Sequence, residues 1–137
     1  MKIIICGSMT AAREMVAVEK KLQELGHEII LPDFTYDYAN FDTIEKMHAE
    51  SARNKVAHDL IRGYFEKIKN SDAILVVNIE RKGVEGYIGG NSFLEMGFAH
   101  ILNKPIYLLN KIPEIGYKDE LEAMKPTVIN GDFNKII

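Results

Sequence analysis

The sequence predicts an α/β fold: a single doubly wound, mainly parallel five-stranded sheet in the order 2-1-3-4-5 with helices on both faces, all in one domain spanning residues 1–137. Three observations predict it. The runs Lys2–Cys6 (KIIIC) and Ala73–Asn78 (AILVVN) are short, continuous and apolar, as strands covered on both faces must be. Candidate strands alternate with segments of helical period, so successive strands need crossover connections and pair in parallel. Finally, 137 residues at 47% hydrophobic and 27% charged is one ordinary globular domain. A chain of that size buries roughly two thirds of its unfolded surface, without help from metal or disulfides. The strand order follows by analogy with other doubly wound sheets.

Taken in order, Lys2–Cys6 is the first strand and runs into Gly7-Ser8. From Thr10 the pattern turns helical, with Ala12, Met15, Val18, Leu22 and Leu25 at three- and four-residue steps and Gly26 as the stop. His27–Leu31 reads as the second strand, closed by Pro32, and residues 33–43 as a long aromatic loop. Thr43–Asn70 carries a long helical pattern, with a break near Ser51–Asn54 and Ile44, Met47, Ser51, Val56, Leu60, Tyr64 and Ile68 near one face. After the third strand, the loop 79–90 holds glycines 83, 86, 89 and 90. A helix is expected over Ser92–Asn103, a strand at Pro105–Leu109, a short helix over 117–124 and a last strand at Thr127–Ile129.

Charge and composition narrow the function. Seventeen basic against twenty acidic side chains give −3, with no basic run, which argues against binding polymeric nucleic acid. No apolar stretch is long enough to span a bilayer, so no membrane partner is expected. One cysteine, Cys6, fits a reducing cytoplasm, and a first strand opening at Lys2 argues against a signal peptide. Cys6 and the histidines at 27, 48, 58 and 100 show no ligand spacing, so no metal and no cofactor is expected.

In doubly wound sheets a ligand occupies the crevice at the carboxyl ends of the strands where the order reverses, here between strands one and three. Two loops face each other there: Gly7-Ser8-Met9-Thr10, and the glycine-rich loop with Gly89, Gly90, Asn91 and Ser92. Both lead into helix starts, whose unpaired N–H groups favour an anion or a hydroxyl; a plain turn is the other reading. Glu95 in the first turn of its helix suits a nucleophile or base, or closes a Ser92-x-x-Glu95 capping box. Asn78, at the end of strand three, is placed to touch a ligand. Asp72 precedes that strand, roughly 20 Å away at about 3.3 Å per residue, and serves as a turn or cap. His58 and Asp59 read as solvated, His100 as structural, and Cys6 as an inert core thiol. Tyr36, Tyr38 and Phe41 either stack on a bound base or pack their own loop.

These residues resemble the nucleoside 2-deoxyribosyltransferase-like family, including its branch of nucleotide N-glycoside hydrolases. The resemblance runs over nearly the whole chain: Ile5-Cys6-Gly7-Ser8, Leu25-Gly26-His27, Ser71 to Val77, and most specifically Glu95-Met96-Gly97-Phe98-Ala99 followed by Asn103-Lys104-Pro105-Ile106. It implies a small-molecule nucleoside or nucleotide substrate, with Glu95 as the nucleophile that forms a covalent glycosyl-enzyme at the anomeric carbon. It also implies a homo-oligomer, dimer or higher, in which Ala123-Met124 reaches a neighbouring subunit's site. Two departures stand out. Many relatives carry an aspartate eight residues before the strand-three Asp, acting on the base or as acid; here the position is Tyr64, a weaker acid that can hydrogen-bond a base. The nucleotide-cleaving branch follows Gly-Ser with a phosphate-gripping Arg, whereas this chain has Met9 and places Arg13 a turn deeper. Gly89, Gly90, Asn91 and Ser92 are left to hold sugar hydroxyls. A non-catalytic nucleotide-binding module on the same fold is the competing expectation.

Overall fold

The computed structural model describes residues 1–40 and 59–137. Five strands, β1 (Lys2–Cys6), β2 (Glu28–Ile30), β3 (Ala73–Val76), β4 (Ile106–Leu108) and β5 (Thr127–Val128), form one sheet in the order β2-β1-β3-β4-β5. Every pair is parallel, with Ile3 opposite both Ile29 and Ala73, and Val76 opposite Cys6 and Leu108. The parallel pairing is the one that the alternation of elements predicted, and the order is the one taken by analogy with other doubly wound sheets.

Side-chain alternation divides the core in two. Ile3 and Ile5 of β1 point to one face with Ala73 and Leu75, and pack beneath Ala12, Met15, Val18 and Leu22 of α1 (Ala12–Glu24). Ile136, beyond β5, extends cover over that face toward Tyr107. Ile4 and Cys6 point to the other face with Ile74 and Val76. There they meet Tyr64 and Ile68 of α3 (Leu60–Lys69), Met96 and Ala99 of α4 (Gly90–Ile101), and Leu121 of α5 (Lys118–Ala123). β1 and β3 are buried on both faces, which is why their sequences show no polar alternation.

Several expected boundaries shift. The loop after β2 contains a single helical turn, α2 (Thr35–Tyr38), whose four residues are too few for a period to register. Of the long helical pattern over 43–70, the described part is α3; Ile44, Met47, Ser51, Val56 and the proposed break lie outside the described residues, as do Phe41 and His58. Asp59 is more than a solvated residue: it caps α3, accepting from the Arg62 backbone N–H at 3.4 Å and its Nε at 3.0 Å. Asp72 does tie the far edge together, accepting from the Lys2 N–H at 2.7 Å while its own N–H donates to Lys2 O at 2.8 Å.

The start of α4 carries the main correction. It begins at Gly90, two residues before the expected start, with Gly89 as its N-cap and no side-chain cap. Ser92 and Glu95 therefore lie inside the helix, and no capping box forms. Ser92 is buried and Glu95 stands more than a turn in.

Candidate active site

The chain leaves β1 toward one side of the sheet and β3 toward the other, and the ends of these two strands part around a cavity of about 250 Å³. It is lined by Gly7, Ser8 and Met9 after β1, by Pro32, Asp33 and Tyr38 after β2, and by Leu60, Ile61 and Tyr64 of α3. Arg81 and the first half of α4, from Gly89 through Ser92 to Leu94, Glu95 and Phe98, close the other side. Seven of the nine sequence-predicted binding residues meet here, together with Glu95 and Tyr64.

The floor is tight. A Cβ on Gly7 would fall 3.0 Å from Met15 Sδ and 3.3 Å from Val77 O, so any larger residue there would press on the Met15 side chain and on the backbone beyond β3. Ser8 caps the 3₁₀ turn Met9–Ala11: its Oγ accepts from the Thr10 N–H at 3.3 Å and from Thr10 Oγ1 at 2.9 Å.

Glu95, Cys6 and Tyr64 form one electrostatic group. Burial first, then the charge of the Glu95 carboxylate and a hydrogen bond to it, push the Cys6 thiol well above its ordinary 9.0. Cys6 is fully buried, as expected of a core thiol, yet it abuts the carboxylate. Tyr64 is likewise pushed well above 10.0, by burial first and then by Cys6, Glu95 and Asp33. Its hydroxyl donates to the Ile5 carbonyl. A phenol so buried, raised and engaged is a poor proton donor to a ligand.

Two predicted binding residues lie elsewhere. Asn78 is buried, but its side chain turns to the β4 side: Nδ2 donates to the carbonyls of Gly86 (3.2 Å), Asn110 (3.0 Å) and Lys111 (3.0 Å), and Oδ1 accepts from the Asn110 N–H at 2.9 Å. It staples two loops and leaves no polar atom for a ligand. Met124 sits in a shallow apolar hollow on the outer side of α4, with Phe98, Ile101 and Ala123, away from the cavity. His100 also borders that hollow and is exposed. Of the loop aromatics, Tyr38 lines the cavity, whereas Tyr36 is exposed and donates to Glu19 on α1. Arg13 donates through Nε to Ala39 O at 2.8 Å and secures the α2 segment.

Sequence reading missed Arg81 and Asp33. Asp33 pairs with Lys67 of α3 at 2.7 Å. Arg81 reaches over from the glycine-rich loop, and its Nη1 donates to Ser8 Oγ at 3.3 Å. A two-residue hairpin holds its backbone: Arg81 and Val84 exchange N–H···O bonds of 3.1 and 3.0 Å, with Lys82 and Gly83 both left-handed at φ 55° and 78°. The signal was present as Lys-Gly between two residues that pair, but it marks a turn and says nothing of where the arginine points.

No family model matches the chain, and no curated protein matches it. Among solved structures it is similar to a 2-deoxyribosyltransferase of the psychrotolerant bacterium Bacillus psychrosaccharolyticus, an enzyme described as a biocatalyst for synthesis of antiviral and antitumoral nucleosides. The two share 20% identity over 79% of this chain and 71% of that one, with a TM-score of 0.53. What this likeness shows is architecture: the chain is built on the α/β fold of that deoxyribosyltransferase, with the cavity at the reversal point of its sheet.

Proposed function

We propose that this protein cleaves or transfers at the N-glycosidic bond of a (deoxy)nucleoside or nucleotide, with Glu95 as nucleophile. The observation that carries the reading is the place of Glu95: a carboxylate in the second turn of α4 that lines the cavity between β1 and β3. The fold shared with a deoxyribosyltransferase supports it.

In this reading a Glu95 oxygen bonds to the anomeric carbon as the C1′–N bond breaks, and the base leaves with the electron pair and takes a proton from water. Water or a second base then displaces the carboxylate, losing a proton of its own, and Glu95 is restored. Tyr64 stays protonated and acts as a wall that places the carboxylate. The protein is taken as a cytoplasmic homo-oligomer in which Met124 meets a neighbouring subunit. The exposed Leu94 and Ile101 around the hollow that holds Met124 support this.

The engaged hydroxyl of Tyr64 favours a second reading, a module that binds nucleotides without turning them over. One experiment separates them. The protein and its Glu95→Ala variant are incubated with a panel of nucleosides and 5′-nucleotides, with and without acceptor base, and free base is measured by chromatography. The proposal expects release by the wild type and a loss of at least ~1,000-fold in the variant. Saturable binding with no base released supports the second reading, and equal release by both proteins removes Glu95 from the chemistry.

A further inference from the structure

The walls of the cavity differ in chemistry. Glu95 shares its wall with Gly90, Asn91 and Ser92, small and polar residues that suit a sugar. The wall built by the segment after β2 and by α3 carries Pro32, Tyr38, Leu60, Ile61 and Tyr64, apolar and aromatic surface that suits the flat faces of a base. A base also has polar edge atoms, which need partners once water is excluded. The Tyr64 hydroxyl is already engaged, because it donates to the Ile5 carbonyl. The charged group on this wall is Asp33, which with Glu95 makes two carboxylates among the described lining residues.

Asp33 is set in place by its neighbours. Lys67 of α3 donates to its Oδ1 at 2.7 Å, and the same ammonium lies 5.6 Å from the centre of the Tyr64 ring. No donor among the described residues reaches Oδ2, so that oxygen keeps its lone pairs for a ligand. The next residue, Phe34, has φ 68°, a left-handed backbone that bulky side chains rarely adopt. Its ring packs against the α1-side core, while Asp33 lines the cavity. The strained turn thus parts two adjacent side chains and delivers the carboxylate to the site.

We propose that Asp33 reads the edge of the base, so that the site selects amino-bearing bases (adenine, cytosine) over their oxo counterparts (hypoxanthine, uracil). An exocyclic amino group donates to the carboxylate, whereas an oxo group in the same place sets two acceptors against each other. The inference rests on the N-glycoside reading for the place of the sugar at Glu95, and adds the class of base that the reading leaves open.

The test reads binding, so that it does not depend on turnover. The Glu95→Gln protein is titrated by calorimetry with 2′-deoxyadenosine against 2′-deoxyinosine and with 2′-deoxycytidine against 2′-deoxyuridine, each as nucleoside and as 5′-monophosphate. In at least one pair the amino ligand should bind ~10–100-fold tighter, the worth of a hydrogen bond to a charged group. Asp33→Asn should bring that ratio close to one, since an amide serves donors and acceptors alike. Lys67→Met breaks the ion pair but leaves the carboxylate, and should keep the preference; thermal melting verifies that each variant is folded. Four results overturn the proposal: no binding in any pair, equal binding within both pairs, a preference that survives Asp33→Asn, or a preference lost in Lys67→Met as well. If the wild type releases base while neither pair shows a preference, the N-glycoside reading stands and the role of Asp33 falls. If the preference is present in a protein that releases no base, the role of Asp33 stands and that reading falls.

Discussion

Asn78 and Asn110 face each other just beyond β3 and β4 and exchange three hydrogen bonds. The Asn110 N–H donates to Asn78 Oδ1 at 2.9 Å, Asn110 Nδ2 to Asn78 O at 2.8 Å, and Asn78 Nδ2 to Asn110 O at 3.0 Å. The same Nδ2 also reaches Gly86 O and Lys111 O. A Cβ on Gly86 would collide with the Lys111 carbonyl, so the two loops pack backbone to backbone at this point. The staple fixes the segment that delivers both Arg81 and the start of α4 to the cavity.

Replacing Asn78 by Ala should therefore act on stability first. Several buried backbone groups lose their partners at once, and a loss of about 3 kcal/mol is expected, read by urea denaturation. Asn78→Asp should be at least as damaging, because it trades a donor to three carbonyls for negative charge. A variant with wild-type stability but weakened substrate binding would return Asn78 to the ligand.

Alkaline pH should destabilise the fold through Cys6 and Tyr64. Both have folded pKa values raised above their ordinary 9.0 and 10.0, so the unfolded chain gives up these protons at lower pH than the folded one. Their contribution is intact below about pH 9 and is lost as pH rises through the raised folded values. Denaturant midpoints measured from pH 7 to 11 should fall beyond pH 9. Tyr64→Phe should start about 1–2 kcal/mol lower at pH 7, having lost its bond to Ile5 O, and then fall less steeply. A wild-type curve flat to pH 11 contradicts the description of this group.

The sheet was legible because its strands are buried on both faces: KIIIC and AILVVN permit few other readings. The cavity floor was legible for the same reason, since Gly7 and Ser8 directly follow a recognisable strand. Asn78 misled because a strand end fixes which side chains reach the crevice region but not which way they turn; two of its partners, Asn110 and Lys111, are more than 30 residues away in sequence. Ser92-x-x-Glu95 misled because glycines start α4 earlier than propensity suggests, and a helix shifted by two residues moves Glu95 off the cap. Arg81 was illegible because a hairpin turn decides its direction, and the residue that receives it, Ser8, is 73 positions away.

The most direct test of Glu95 as nucleophile is a search for the bond it forms. The protein is mixed with a 2′-deoxy-2′-fluoro nucleoside and, separately, its 5′-monophosphate, quenched in acid and analysed by intact and peptide mass spectrometry. Electron withdrawal by fluorine slows release of the sugar. A mass gain equal to the fluorinated sugar, or its phosphate, is expected on the peptide carrying Glu95, and none in Glu95→Ala. Base release with no adduct, or an adduct on another residue, would contradict it.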